Sequence, residues 1–189
     1  EGRPFALLLA TFRTYKGVPH FCRAIEYLAT HQPESALLGI IVGRVHPVQI
    51  KRVANELGLR HEQVGAVTTK LGSTIFAGPS HYSGSWTSQA SVSVSASVEY
   101  EAIPGSLREA MLANVPVVAT NVGFVGELIK PGWNGVLVPP RNFQALASGI
   151  VEALNCSSIS LRRAHRFVRL YFNNKTRIRQ HIEAYNRLL

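Results

Sequence analysis

Residues 101–140 read EAIPGSLREAMLANVPVVATNVGFVGELIKPGWNGVLVPP, and two hydrophobic periods alternate along them. Ser106–Asn114 has helical spacing, with Pro104-Gly105 as a turn before it and Ser106 in the position of an N-cap. Val115–Asn121 is a short apolar run of the kind buried on both faces of a sheet. A short helix over Gly126–Lys130 and a strand over Gly135–Pro140 follow. Helix, strand, helix, strand in this order predicts parallel strands joined by right-handed crossovers.

The alternation continues on both sides. Pro4–Thr11, Ala36–Gly43 and Thr74–Gly78 read as strands, Phe21–His31 and Val48–Leu59 as helices, the second closed by Gly58. Ser91–Ser97 (SVSVSAS) alternates strictly and reads as an edge strand, since serines pack poorly inside a parallel sheet. Gly65–Ser88 is rich in Gly, Ser and Thr and is expected to be the least structured part, with Thr74–Gly78 inside it. Phe143–Asn155 is a helix, and 158–189 forms a C-terminal arm of two helices broken at Asn173-Asn174. Leu161, Ala164, Val168 and Tyr171, then Ile178, Ile182, Tyr185 and Leu189, mark their apolar stripes. The expected fold is α/β: one Rossmann-like parallel sheet over 1–189 with helices on both faces, plus C-terminal helices.

Composition narrows the class. A chain of 189 residues, 46% hydrophobic and 16% charged, suits one packed domain rather than a disordered segment. Cys22 and Cys156 match no metal or redox spacing, and the seven histidines form no ligand set, so no metal is expected. These two distant cysteines fit a reducing cytosol, no apolar run is long enough to span a bilayer and no secretory leader is seen, so the expected setting is cytoplasmic. The chain opens at Glu1 and runs straight into a strand, as expected of a piece of a larger protein. Trp86 and Trp133 read as packing residues. The net charge of +9 gathers near the C-terminus, where Arg162, Arg163, Arg166, Arg169, Lys175, Arg177, Arg179 and Arg187 face only Glu183. No basic strand interleaved with aromatics accompanies them, so nucleic acid is not the expected partner. A solvated helix face, an anionic membrane surface at the inner side of the membrane and a neighbouring domain are the remaining readings.

Ligands of such sheets bind beyond the carboxyl ends of the strands. Three loops there carry chemistry: Thr11, Arg13 and Lys16-Gly17; Ser97–Glu109; and Thr120–Glu127. Glu101 and Glu109 stand in an E-x7-E spacing. With Ser106 as cap, the amides of Leu107 and Arg108 would face an anion. Glu109 also fits a capping box with Ser106, whereas Glu101 has no such structural task. A basic loop, two carboxylates and a helix N-terminus suit a sugar carried on a diphosphate. No G-x-G-x-x-G follows the first strand, which argues against a dinucleotide dehydrogenase. His81, near the end of the third strand, is the one histidine placed to approach a ligand.

The E-x7-E spacing followed by Ala110-Met111, then PVVAT, a Gly-led loop with Glu127, and Asn134-Gly135 before LVPP, is similar to the family 4 retaining glycosyltransferases. The resemblance implies the C-terminal, donor-binding half of a GT-B fold, without the N-terminal acceptor domain. It implies sugar transfer from a nucleoside diphosphate sugar, with retention, in glycan or polysaccharide biosynthesis, and no metal or other cofactor. By resemblance, Lys16 binds the diphosphate, Glu101 lies beside the donor sugar and Glu109 holds the ribose. The amides of Ala102 and Ile103 meet sugar hydroxyls, and those of Ser106 and Leu107 the phosphate. The base sits near Ile75, Phe76 and Gly78, and Asn121, Val122 and Gly123 close the pocket floor. Thr11 stands where the family has Arg, and Arg13 is positioned to replace that charge. Ala102 and Phe124 stand where glycines are usual, and Ser91 where an acid is usual. The rival readings are a UDP-sugar 2-epimerase on the same fold and a non-catalytic nucleotide-binding module.

Overall fold

In the strand Phe5–Leu9 (β1), Ala6 and Leu8 enter one hydrophobic core and Leu7 the other. That is the burial expected of a strand covered on both faces. The computed structural model describes residues 2–188, and all side chains among them except those of Asn174, Thr176 and Arg177. Seven further strands are β2 (Leu38–Val42), β3 (His61–Gln63), β4 (Thr69–Leu71), β5 (Thr74–Gly78), β6 (Val92–Ser95), β7 (Val117–Thr120) and β8 (Val136–Val138). The helices are α1 (Val18–His31), α2 (Pro47–Leu57), α3 (Ser83–Gln89), α4 (Gly105–Leu112), α5 (Val125–Leu128), α6 (Phe143–Leu154), α7 (Ser158–Tyr171) and α8 (Asn174–Asn186).

All strands join one sheet in the order β3-β4-β5-β2-β1-β6-β7-β8. β5 to β8 are parallel neighbours, with β1 central. From β1 the chain first winds outward through β2 and β5, then returns past β1 to β6, β7 and β8. The reversal between β1 and β6 is the topological switch point, where the crossovers part and leave a crevice at the carboxyl edge. Helices α1, α2 and α6 bury Phe21, Ile25, Val53 and Ile150 in one core. Helices α4, α5 and α7 bury Leu107, Met111, Leu128 and Val168 in the other.

Four expectations change. Ser91–Ser97 supplies β6, which is central rather than an edge. Val92, Val94 and Ala96 enter the first core, while Ser93 and Ser95 are buried on the face toward α4, where small side chains let the helix approach. The sheet is not wholly parallel, because β3 and β4 add an antiparallel edge beyond β5. Gly65–Ser88 is ordered into β4, β5 and α3. The arm expected over 158–189 divides: α7 packs Ala164 and Val168 into the second core, and α8 shows exposed Ile178, Ile182 and Tyr185. Leu189 lies outside the described residues.

Candidate functional site

The loops after β1, β6 and β7 meet at the switch point. Gly17, at φ 65°, forms the N-cap of α1 and passes so close to the loop after β6 that a β-carbon there would strike the Ala96 carbonyl. Nearby, the Val98 amide donates to the Tyr15 carbonyl at 2.7 Å. This close approach, which only glycine permits, sets Lys16 against the second loop. Lys16 Nζ donates to Glu101 Oε2 at 2.5 Å, with the two side chains 25% and 14% exposed. Ser97 Oγ donates to the same carboxylate oxygen at 2.8 Å. Thr120 Oγ1 in turn donates to the Ser97 carbonyl, so β7 braces the residue that braces Glu101. The third loop closes on the Glu101 backbone: the Phe124 amide donates to the Glu101 carbonyl at 2.9 Å.

Helix α4 starts immediately beyond. Its N-cap is Pro104, without a side-chain cap bond, and the Arg108 amide donates to the Pro104 carbonyl at 3.3 Å. The expected cap at Ser106 is therefore displaced by two residues, because Pro104 is already extended (φ −60°, ψ 124°) and the helical turn begins at Gly105. The amides without a partner in the preceding turn are those of Gly105, Ser106 and Leu107, and not Arg108. The capping box does not form, and Glu109 is exposed.

The remaining expected residues divide into two groups. Thr11 and Arg13 are exposed and line an open cleft with Arg44, Pro79, Ser80 and Ser83. Ser83 also lines the hollow between α3 and α4 that contains Glu109, so the two recesses meet at one residue. Of the expected base-binding strand, Ile75 is half-buried, Phe76 is core, and Gly78 is buried. What faces the cleft is the strand's exit, Pro79-Ser80. Ala102 and Asn121 are exposed, Ile103 packs on the second core, and Val122 is buried within it. His81 is exposed in the loop after β5. Trp86 packs edge-on against Phe5, as a core residue would, whereas Trp133 is 39% exposed.

Sequence reasoning missed Ser80, Ser83 and Arg44, and marked Ser97 only as the start of a loop. Arg44 lies two residues beyond β2 and Ser80 two beyond β5, so the post-strand rule would have found both; Ser83 carries no local signal. Tyr100 and Phe124, both exposed, meet edge-to-face beside Glu101 at 6.3 Å. Cys22 is a core residue whose thiol is pushed up to about 12, by burial first, which leaves no reactive thiolate. Among the described residues no group of three His, Cys or Glu is placed as a metal site.

A lysine and a row of free helix amides can hold an anion, and a braced carboxylate beside them can hold a polyol. The family model of glycosyl transferases group 1 matches residues 3–156. The chain belongs to this family, and its sheet is that of the C-terminal half of a GT-B fold. It is similar to Anabaena Alr3699/HepE, solved in complex with UDP and glucose, with a TM-score of 0.77 and 22% identity, over 98% of this chain and 48% of that one. It is similar also to the C-terminal domain of a glycosyl transferase group 1 family protein (LpcC) from Francisella tularensis, with a TM-score of 0.70 and 22% identity, over 90% of this chain and 87% of that one. A Salmonella typhimurium protein assigned by name to colanic acid biosynthesis, the glycosyltransferase WcaL, is 43% identical over 54 residues, which are 29% of this chain and 13% of that protein. The chain thus spans about half the length of HepE and a small part of WcaL.

Proposed function

We propose that the whole protein is a retaining glycosyltransferase acting in glycan or polysaccharide biosynthesis on the cytoplasmic side, and that this chain is its donor half. The observation that carries the reading is the Lys16–Glu101 pair at the switch point, directly before the free amides of α4. HepE, of the same fold, binds UDP and glucose, which supports a nucleoside diphosphate sugar as donor here. As the bond from the anomeric carbon to the diphosphate breaks, negative charge grows on the leaving oxygen and positive charge on the ring. Lys16, Arg13 and the amides of Ser106 and Leu107 stabilise the leaving diphosphate without a metal. Lys16 has three donors and spends one on Glu101, so it can bind phosphate while still paired. Glu101 orients the sugar and favours its positive ring. Glu109 takes the ribose, the cleft of Thr11, Arg44 and Ser80 takes the rest of the nucleoside, and the acceptor is held by a second half of the protein. Titration calorimetry of this chain with UDP and GDP, with and without a chelator, tests the donor site. Binding that survives chelation is expected; no binding to either nucleotide sinks the reading.

A further inference from the structure

Helix α7 turns Arg162, Arg163, Arg166 and Arg169 to solvent, and from Ala153 to Ile182 the sequence has no acidic residue. None of these four arginines has a carboxylate partner among the described residues. The face is not simply charged. Ile159 is 51% exposed, Leu170 53% and Tyr171 64%, interleaved with the arginines. Trp133, from the loop before β8, is fixed beside them: Arg163 lies over its ring at 6.0 Å and Phe167 meets it edge-on at 5.9 Å. Single exposed apolar residues are ordinary on a protein surface, but here three of them share one helix with four arginines and no acid.

We propose that the outer face of α7, with Trp133, docks on an anionic lipid surface. Arginines supply attraction to acidic headgroups, and Ile159, Leu170 and the indole reach the apolar boundary below them. Indole and phenol rings at this depth are the usual interfacial anchors. No helix among the described residues is long and apolar enough to cross a membrane, and the proposed contact is with the surface alone. Duplex nucleic acid would satisfy the arginines but gives Ile159 and Leu170 nothing to enter. The inference does not rest on the donor-site reading.

The test is co-sedimentation of the full chain with vesicles of phosphatidylcholine alone and with vesicles rich in phosphatidylglycerol. A Trp86→Phe background isolates the emission of Trp133. Binding to the anionic vesicles only is expected, weakened by salt and accompanied by a blue shift of that emission. Replacing Arg162 and Arg166 by Gln should lower partitioning about fivefold per arginine, with melting temperature and UDP affinity unchanged. Failure to bind anionic vesicles overturns the proposal, as does binding that ignores the double replacement. Binding to RNA or DNA through these arginines without vesicle binding overturns it in favour of nucleic acid. A chain that binds vesicles but not UDP keeps this inference and removes the donor-site reading.

Discussion

Lys16 Nζ and Glu101 Oε2, 85 residues apart in sequence, stand 2.5 Å apart in the fold. The contact ties the loop after β1 to the loop after β6 and leaves a carboxylate beside the atoms proposed to meet a diphosphate. The two charges oppose each other's effect on a nucleotide. Glu101→Gln keeps an acceptor for Lys16 and for Ser97 but removes the repulsion. The expected outcome is tighter UDP binding to this chain, by about 1 kcal/mol for a partly exposed pair. In the whole protein the same change should lower sugar transfer by roughly a hundredfold. Calorimetry and initial rates check the two halves, and UDP binding that weakens would show that the carboxylate serves chiefly to position Lys16.

Glu109 offers a cleaner contrast, because the structure removes its competing role. With no capping box to lose, Glu109→Gln should leave the melting temperature where it is. If the carboxylate holds the ribose, UDP affinity should fall by about 1–2 kcal/mol, the scale of one charge-assisted hydrogen bond. The exposed Glu152→Gln change on α6 serves as the control. Equal UDP affinity in both variants would place the ribose elsewhere.

What could be read from the chain follows from where its physics is local. The apolar runs of β1 and β7 and the amphipathic spacing of α4 are statements about neighbouring residues, so their burial was legible. Ser93 and Ser95 misled, because serine in a strand looks solvent-facing unless the small space under α4 is known. The His61–Gln63 strand is wholly exposed and carries no hydrophobic period at all. Ser106 resembled a cap, but the extended Pro104 had already started the helix. Lys16 and Glu101 were marked by their post-strand loops and by family likeness, and only the fold explains their meeting, through Gly17 pressed against Ala96. Ser97 and Ser83 gain their positions entirely from tertiary contacts.

Acid sensitivity should involve His20, on α1. Its pKa is lowered, first by burial, then by the charges of Arg23 and Arg141, with Glu56 opposing. The folded state therefore resists protonation, while the unfolded chain takes up the proton near the ordinary histidine value. The associated stability is complete above about pH 6.5 and is lost as pH falls through that value toward the lowered folded pKa. His20→Gln should accordingly flatten the loss of melting temperature between neutral and mildly acidic pH. Parallel pH curves for the two proteins would remove His20 from the account.

Gly123, like Gly17, is an exacting position beside the site. Its φ is 53°, and a β-carbon on it would collide with the carbonyl oxygen, nitrogen and carbonyl carbon of Glu101. Backbone atoms cannot rotate aside as a side chain can, so Gly123→Ala must push the third loop off the second. The Phe124 amide would then lose its 2.9 Å bond to the Glu101 carbonyl. Strain at one such residue costs about 1–3 kcal/mol, so a lower melting temperature is expected. The more telling effect is on the site, since displacing the Glu101 backbone also shifts the carboxylate from Lys16. Gly84→Ala is the matched control: it lies in helix α3 with nothing within 4 Å of the added carbon. That change should leave stability equal or raise it by up to ~1 kcal/mol, so Gly84 serves as the control for melting temperature. Melting curves and calorimetry on both variants decide the matter. Should Gly123→Ala bind UDP as the unaltered chain does, the third loop plays no part in shaping the donor site.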